Sequence, residues 1–231
     1  MLLRTRDLDL ARRGVAIRRL SKRAFAGWVT KQPSRLWEYP WVVREVERRM
    51  AGRTRAAMDA GAGKSPVPIA LARLGLTTVV VDPGTPRPGT GEPVCGSEWE
   101  WTDYSKFGVR SVRGGMEEAV VPARSLGFVV SVSAVEHLRA DVRRAAFARI
   151  AQALEPAGVL VLTVDVFPGS TDLWNRCLGE IVEAPDEHGC AETLVAEAAA
   201  IGMELQHRQR CPLSPGRVDV EGFVFIRGTA P

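Results

Sequence analysis

The chain has 231 residues, 45% hydrophobic and 25% charged, enough for one large α/β domain or a domain with a small appendage. No stretch approaches the roughly 18 apolar residues of a membrane helix, and the longest apolar run, GVLVLTVDVF, has the length of a buried strand. The net charge of +4 is uneven: residues 1–55 carry 15 Lys and Arg against 5 Asp and Glu, the remainder 16 against 22.

The basic quarter has two readings, a solvated helix surface over an acidic-edged domain or a nucleic-acid surface. Cys95, Cys177, Cys190 and Cys211 are scattered without a CxxC pair, which argues against a zinc site or a disulfide framework and suits a reducing cytoplasm. No metal is expected. The start, MLLRTRDLDLARRG, lacks the apolar centre of a secretory signal.

In chain order, residues 8–29 are predicted helical on a broken stripe of Leu8, Leu10, Val15, Ile17, Leu20, Phe25 and Trp28. KQPSRLWEYPW interrupts them with two prolines, and residues 41–50 suggest a second short helix with Trp41, Val42 and Val46 on one side. Residues 1–52 therefore form a helical cap with too little apolar mass to fold alone, and 53–231 the main domain.

From residue 55 the texture is strand–helix. Residues 55–60 are the first strand. Ser65 is placed as an N-cap, Pro66 as the first helical residue and Gly75 as the C′ residue of the helix that follows. TTVVVD at 77–82 is a second strand, 83–105 a long turn-rich insertion, 109–112 and 127–133 further strands, and 141–154 an amphipathic helix stopped by Pro156 and Gly158. VLVLTVDV is a fifth strand, followed by a helix near 190–201 and strands near 203–210 and 220–227. The alternation implies a doubly wound, seven-stranded, mostly parallel α/β sheet whose last strand is antiparallel.

The chemistry centres on MDAGAGKSPVPIALARLG, residues 58–75. As a phosphate loop it lacks the first glycine of G-x-x-x-x-G-K-[ST], since that position is Met58. As a dinucleotide turn it has Gly61 and Gly63 but Pro66 at the third small position. What remains is Asp59, Gly61 and Gly63, answered by Asp82 nineteen residues after Gly63. With the strand that follows, this stretch resembles motif I and the acidic strand end of class I S-adenosylmethionine-dependent methyltransferases.

The resemblance implies S-adenosylmethionine as cofactor, leaving as S-adenosylhomocysteine, held by Asp59, Ala60, Gly61, Gly63, Asp82 and Pro83. Asp82 would accept from both ribose hydroxyls, and the methionine tail would lie over backbone N–H groups at the glycine turn. VRGGMEEAVVP is similar to the family's third-strand turn, with Gly115 where that family often has Asp, and Met116 and Glu117 flanking adenine. FVVSVSAVEHL resembles the fourth strand and its exit, placing Ser133 near the sulfonium. ALEPAGVLVLTVDV and AAAIGMELQ resemble the fifth strand and the closing helix and strand, so the likeness runs over about 55–227.

For the acceptor side, His137 is the candidate general base, with a structural role as its alternative, and Glu136 shares that ambiguity. His188 and His207 have the look of ordinary surface or edge residues. Trp37, Glu38, Tyr39 and Trp41 either enclose a ligand or glue the cap to the sheet. Asp172 and Trp174 follow the fifth strand, and Trp99, Trp101, Asp103 and Tyr104 offer another wall. The expected activity is O- or N-methylation of a small organic acceptor, as in a natural-product tailoring step, in the cytoplasm and without a membrane partner. RNA methylation through the basic quarter and a non-catalytic methyltransferase-like subunit are the alternatives.

Overall fold

A computed structural model describes residues 15–17, 19, 34–83, 103–177, 180–181, 183–211 and 218–229. Most of the expected helix at 8–29 and most of the 83–105 insertion, with Cys95, Trp99 and Trp101, lie outside the described residues. Among the described residues no helix is long and apolar enough to cross a membrane.

Seven strands form one sheet: β1 (Ala56–Ala60), β2 (Thr77–Asp82), β3 (Arg110–Arg113), β4 (Leu126–Val132), β5 (Leu154–Val166), β6 (Met203–Cys211) and β7 (Asp219–Arg227). Their order is β3-β2-β1-β4-β5-β7-β6, and only β7 runs against the rest. β7 is reversed because only residues 212–218 separate it from β6, too short a connection for a crossover. The chain leaves β1 toward one edge and returns at β4 toward the other. The switch lies between β1 and β4, and it opens a crevice at their carboxyl ends.

The helices are α1 (Arg35–Glu47), α2 (Val67–Arg73), α3 (Ala140–Ala153) and α4 (Ala191–Ala199). Strand alternation sorts the core into two layers. Met58, Val81, Leu160, Leu162 and Val164 pack with Phe147, Ile150 and Leu194 of α3 and α4. Ala57, Val80, Phe128, Val130 and Val161 pack with Trp41, Val42, Val46, Val67 and Leu71 of α1 and α2. Period two thus places Asp59, Thr163 and Asp165 on the α1 face, at the strand ends beside the crevice.

The helix α2 begins one residue later than expected, at Val67, with Pro66 in the N-cap position and Ser65 just before it. The Val67 N–H donates to Ser65 Oγ at 3.1 Å, and Gly75 closes it with φ +84°. Two further elements differ from expectation. α1 begins at Arg35 rather than 41 and carries Pro40 inside it, because burial of Glu38, Tyr39, Trp41, Val42 and Val46 outweighs proline's helix penalty. The carbonyl that Pro40 leaves without its helix partner is that of Leu36, an exposed residue that water can serve. β5 begins at Leu154, directly out of α3, with a register shift against β4 between Leu126 and Phe128.

Trp41 fastens α1 to the sheet. Its side chain is fully buried, its Nε1–H donates to Gln209 Oε1 at 2.9 Å, and its ring covers Gly222 of β7. A Cβ at Gly222 would lie 2.7 Å from the indole. We expect Gly222→Ala to cost about 1–3 kcal/mol by overpacking, and Trp41→Ala about 3–5 kcal/mol by loss of buried area. Urea unfolding of both variants measures this. A neutral Gly222→Ala would show that α1 is not held against β7.

Candidate functional site

Two clusters meet at the switch. The first is the turn after β1. The Gly61 N–H donates to Val81 O at 2.8 Å, and its φ of +78° favours glycine. A Cβ there would lie 2.6 Å from Ala134 Cβ and 2.7 Å from Met116 Cε, so the turn is pressed between the exits of β3 and β4. Gly63, at φ +49°, is the opposite: a Cβ on it would meet nothing within 4 Å. The Gly63 N–H donates to Asp82 Oδ2 at 2.7 Å, which draws the β2 carboxylate to the turn. The Tyr104 hydroxyl shares its proton between Gly63 O at 2.6 Å and Ser65 O at 2.9 Å and so braces the loop from behind.

Asp59 sits beneath this turn, 1% exposed, and neither carboxylate oxygen has a hydrogen-bond partner among the described residues. Burial and the neighbouring Asp82 push its carboxyl well above the usual range. Such a group is costly unless a cation or donor arrives.

The second cluster joins α1 to β4 and β5. Glu38 is fully buried; its Oε1 accepts from Ser133 Oγ at 2.5 Å and Thr163 Oγ1 at 2.6 Å, and its Oε2 from Arg35 at 2.6 Å. Ser133 has φ +43°, a strained conformation for a residue with a side chain, at the exit of β4. Asp165 Oδ1 lies 3.4 Å from Ser133 Oγ, and the Asp165 N–H donates to Glu136 Oε1 at 2.9 Å. Burial and then Glu38 raise the Asp165 carboxyl to about 7. Burial and Asp165 also raise Glu136, whose Oε2 is enclosed without a partner among the described residues.

The expected site residues fall as follows. Asp59, Ala60, Gly61, Gly63, Asp82 and Met116 gather at the β1 turn, while Pro83 ends the described part of that loop. The Glu117 carboxylate folds into the volume that a side chain at Gly115 would fill. Ser133 and Glu38 are bonded to each other, and burial raises the Tyr39 hydroxyl to about 12, with Glu38 and Asp59 adding to it and Arg35 opposing. Trp37 stacks on Trp41 with ring centroids 5.2 Å apart. Trp41 and Tyr104 have no more than 1% of their surface accessible, so both act as packing, one under the cap and one under the glycine loop. His137 lies in the turn Val135–His137, and burial lowers it to about 4, with Arg35 and His188 adding to the effect. Asp172 is exposed and caps a turn through Ser170 Oγ at 2.8 Å. Trp174 packs on Phe167 with the rings tilted 43° and centroids 4.7 Å apart, and its backbone N–H donates to Asp165 O at 2.9 Å.

His188, expected at the surface, is 1% exposed and bonds Glu183 at 2.9 Å, because the single turn Pro185–His188 folds in beside fully buried Arg143. Arg35, Thr163 and Asp165 were missed by sequence reasoning. The available signal was polar residues two apart at the carboxyl end of an otherwise apolar strand. No group of three or more His, Cys, Asp and Glu suited to a metal occurs among the described residues.

No protein-family model matches the chain, and no curated protein matches it. Solved structures do. A Burkholderia thailandensis 1,6-didemethyltoxoflavin-N1-methyltransferase with bound 1,6-didemethyltoxoflavin and S-adenosylhomocysteine matches with a TM-score of 0.63 and 16% identity, over 99% of this chain and 92% of that one. The N-methyltransferase NodS from Bradyrhizobium japonicum matches with a TM-score of 0.57 and 15% identity, over 87% and 99%. Haemonchus contortus phosphoethanolamine N-methyltransferase 2, in complex with S-adenosyl-L-methionine, matches with a TM-score of 0.59 and 13% identity, over 97% and 58%. The chain has the fold of class I S-adenosylmethionine-dependent methyltransferases.

The raised carboxyls carry a pH signature. Asp165 ionises near the ordinary carboxylate value when unfolded and at about 7 when folded, so its contribution is present below about pH 4 and lost as pH rises through 7. His137 and His188, both lowered, act in the opposite sense below about 6.5. The informative quantity is therefore a difference. Asp165→Asn should gain thermal stability relative to the parent as pH is raised from 5 to 8, measured in parallel melting scans. A constant difference would mean that Asp165 titrates normally.

Proposed function

We propose that the protein is an S-adenosylmethionine-dependent methyltransferase acting on a small organic acceptor, in the manner of a tailoring step. The observation that carries the reading is the β1 turn. Asp59 lies unsatisfied beneath it, Gly63 opens onto free space, and Asp82 is drawn to the same loop. These residues fit the cofactor's chemistry. Asp59, which burial holds toward its neutral form, supplies an unpartnered carboxyl that a molecule carrying a sulfonium and an ammonium would ionise. Asp82, partly exposed at the end of β2, suits a ribose diol, which offers two donors to one carboxylate. The β1 turn offers no third glycine or phosphate nest, and this ligand has no phosphate. Glu117, folded over Gly115, stands in for the aspartate that is usual at that turn and is our candidate for the adenine amino group. Met116 adds an apolar wall.

The bound cofactor supplies an electrophilic methyl group. The chain's own contribution is to place an acceptor in line with it and to exclude water. Ser133 and Ala134, pressed toward Gly61, bring the exit of β4 next to the glycine turn. The acceptor side then lies over Ser133 and Asp165, under Trp37, Glu38 and Tyr39 of α1. His137, neutral down to about pH 4, stands behind this wall in a positioning role, with its Nδ1 enclosed.

The test is direct. S-adenosylhomocysteine at about 100 times its Kd should stabilise the full chain by about 2.7 kcal/mol, several degrees of melting temperature. Asp82→Ala should weaken this at least tenfold, through loss of charge-assisted bonds to the ribose. Gly63→Asn should weaken it further while leaving a folded protein, because asparagine tolerates the left-handed φ of +49° and its Cβ enters open space beside the turn. Failure of S-adenosylhomocysteine to stabilise the parent chain would overturn the reading.

A further inference from the structure

The acceptor side carries a charge imbalance that methyl transfer by itself does not require. Three carboxyl groups, Glu38, Glu136 and Asp165, share one cation, Arg35. Arg35 is committed to Glu38, which also takes the hydroxyl protons of Ser133 and Thr163. A hydroxyl has one proton. Since Ser133 sits 2.5 Å from Glu38 and 3.4 Å from Asp165, that proton lies mainly with Glu38, and Asp165 keeps only the long Ser133 contact as a side-chain donor among the described residues. Glu136 spends one oxygen on the Asp165 N–H, and its Oε2, fully enclosed, meets nothing among the described residues. Two buried carboxyl groups therefore lack compensation.

Access separates the three. Glu38 and Glu136 have none of their surface accessible, and Asp165 keeps 8%. Only Asp165 can be reached by an incoming group. It sits at the carboxyl end of β5, beside Ser133 and across the switch from the glycine turn. Trp174 is tied to its carbonyl, and Trp37 adds an aromatic ring on α1. A neutral acceptor would leave the surplus negative charge in place. A cation would relieve it.

We propose that the acceptor is a primary or secondary amine that arrives protonated, and that Asp165 is the base that takes its proton. This rests on the methyltransferase reading. The step balances as follows. The ammonium N–H proton passes to an Asp165 oxygen, giving a neutral carboxyl and a free amine. The amine lone pair forms the N–CH3 bond while the methyl–sulfur bond breaks, its electron pair going to sulfur. The products are an N-methylated ammonium, a thioether and protonated Asp165, which returns its proton to water. Asp165 is faced by Glu38 and Arg35 from α1 and by Glu136 from the turn after β4. Burial and Glu38 raise the Asp165 carboxyl into the range of a proton acceptor, and Arg35 opposes them.

The experiment uses the full chain saturated with S-adenosylhomocysteine and a panel of matched primary amines and alcohols, such as phenethylamine and 2-phenylethanol. Binding is read by calorimetry at pH 6 and pH 8. At least one amine should bind tenfold or more tighter than its alcohol, with the preference larger at pH 8 and lost in Asp165→Asn. A bound amine should be methylated with a rate that rises through pH 7, and Asp165→Asn should remove that rise. Should Asp165→Asn fail to fold, Ser133→Ala, which leaves the carboxylate in place, should retain the preference for amines. Equal binding of both series, preference for alcohols, or a preference that survives Asp165→Asn overturns the amine assignment while the methyltransferase reading stands. No stabilisation by S-adenosylhomocysteine overturns both.

Discussion

The site depends on one carboxylate without access to water. Glu38, carried on α1, accepts bonds from Ser133 at the end of β4, Thr163 within β5 and Arg35 on its own helix. Each partner belongs to a different segment, so this single group fixes the helix over the crevice and holds the β4 exit in its left-handed turn. Removing one partner from such a cluster typically costs several kcal/mol, because the remaining charge stays buried. An arrangement this expensive is unusual as scaffolding alone. It is economical where a charged field is wanted beside a reacting group.

The same logic organises the other half of the crevice. Asp59 is buried without a hydrogen-bond partner among the described residues, and Asp82 accepts from the Gly63 N–H. Both halves thus gather carboxyl groups around one gap, at the point where the chain reverses its winding order. In the proposed reading a sulfonium donor with an ammonium tail meets the first half, and a protonated amine meets the second. Arg35, a cation at this crevice among the described residues, is paired with Glu38.

Much of this was legible in order along the chain. The run TTVVVD, β-branched up to its last residue, marks a buried strand with a carboxylate at its end. Ser65, Pro66 and Gly75 announce a helix by local chemistry alone, and local chemistry survives folding. Pro40 misled for a related reason. A proline argues against a helix interior, yet here burial of the residues around it decides the matter, and burial is a tertiary quantity. His137 drew attention as a titratable group after the fourth strand, whereas Asp165 did not, since it lies inside a strand whose apolar neighbours suggest only core.

Sequence by itself determined the winding, the glycine turn and the acidic strand end, since each follows from hydrophobic period, backbone freedom or spacing within a few tens of residues. It also excluded a phosphate nest through Met58 and a dinucleotide turn through Pro66. Only the tertiary structure decided which carboxyls share a proton and which are left bare. Glu38, Glu136 and Asp165 come from three segments more than a hundred residues apart at their extremes, and their properties come from burial and mutual distance rather than from residue type. It likewise decided that Trp41 and Tyr104 brace the site while Asp165 faces what enters it. An aromatic and a carboxylate read the same in a sequence whether they pack or react, and exposure alone tells them apart.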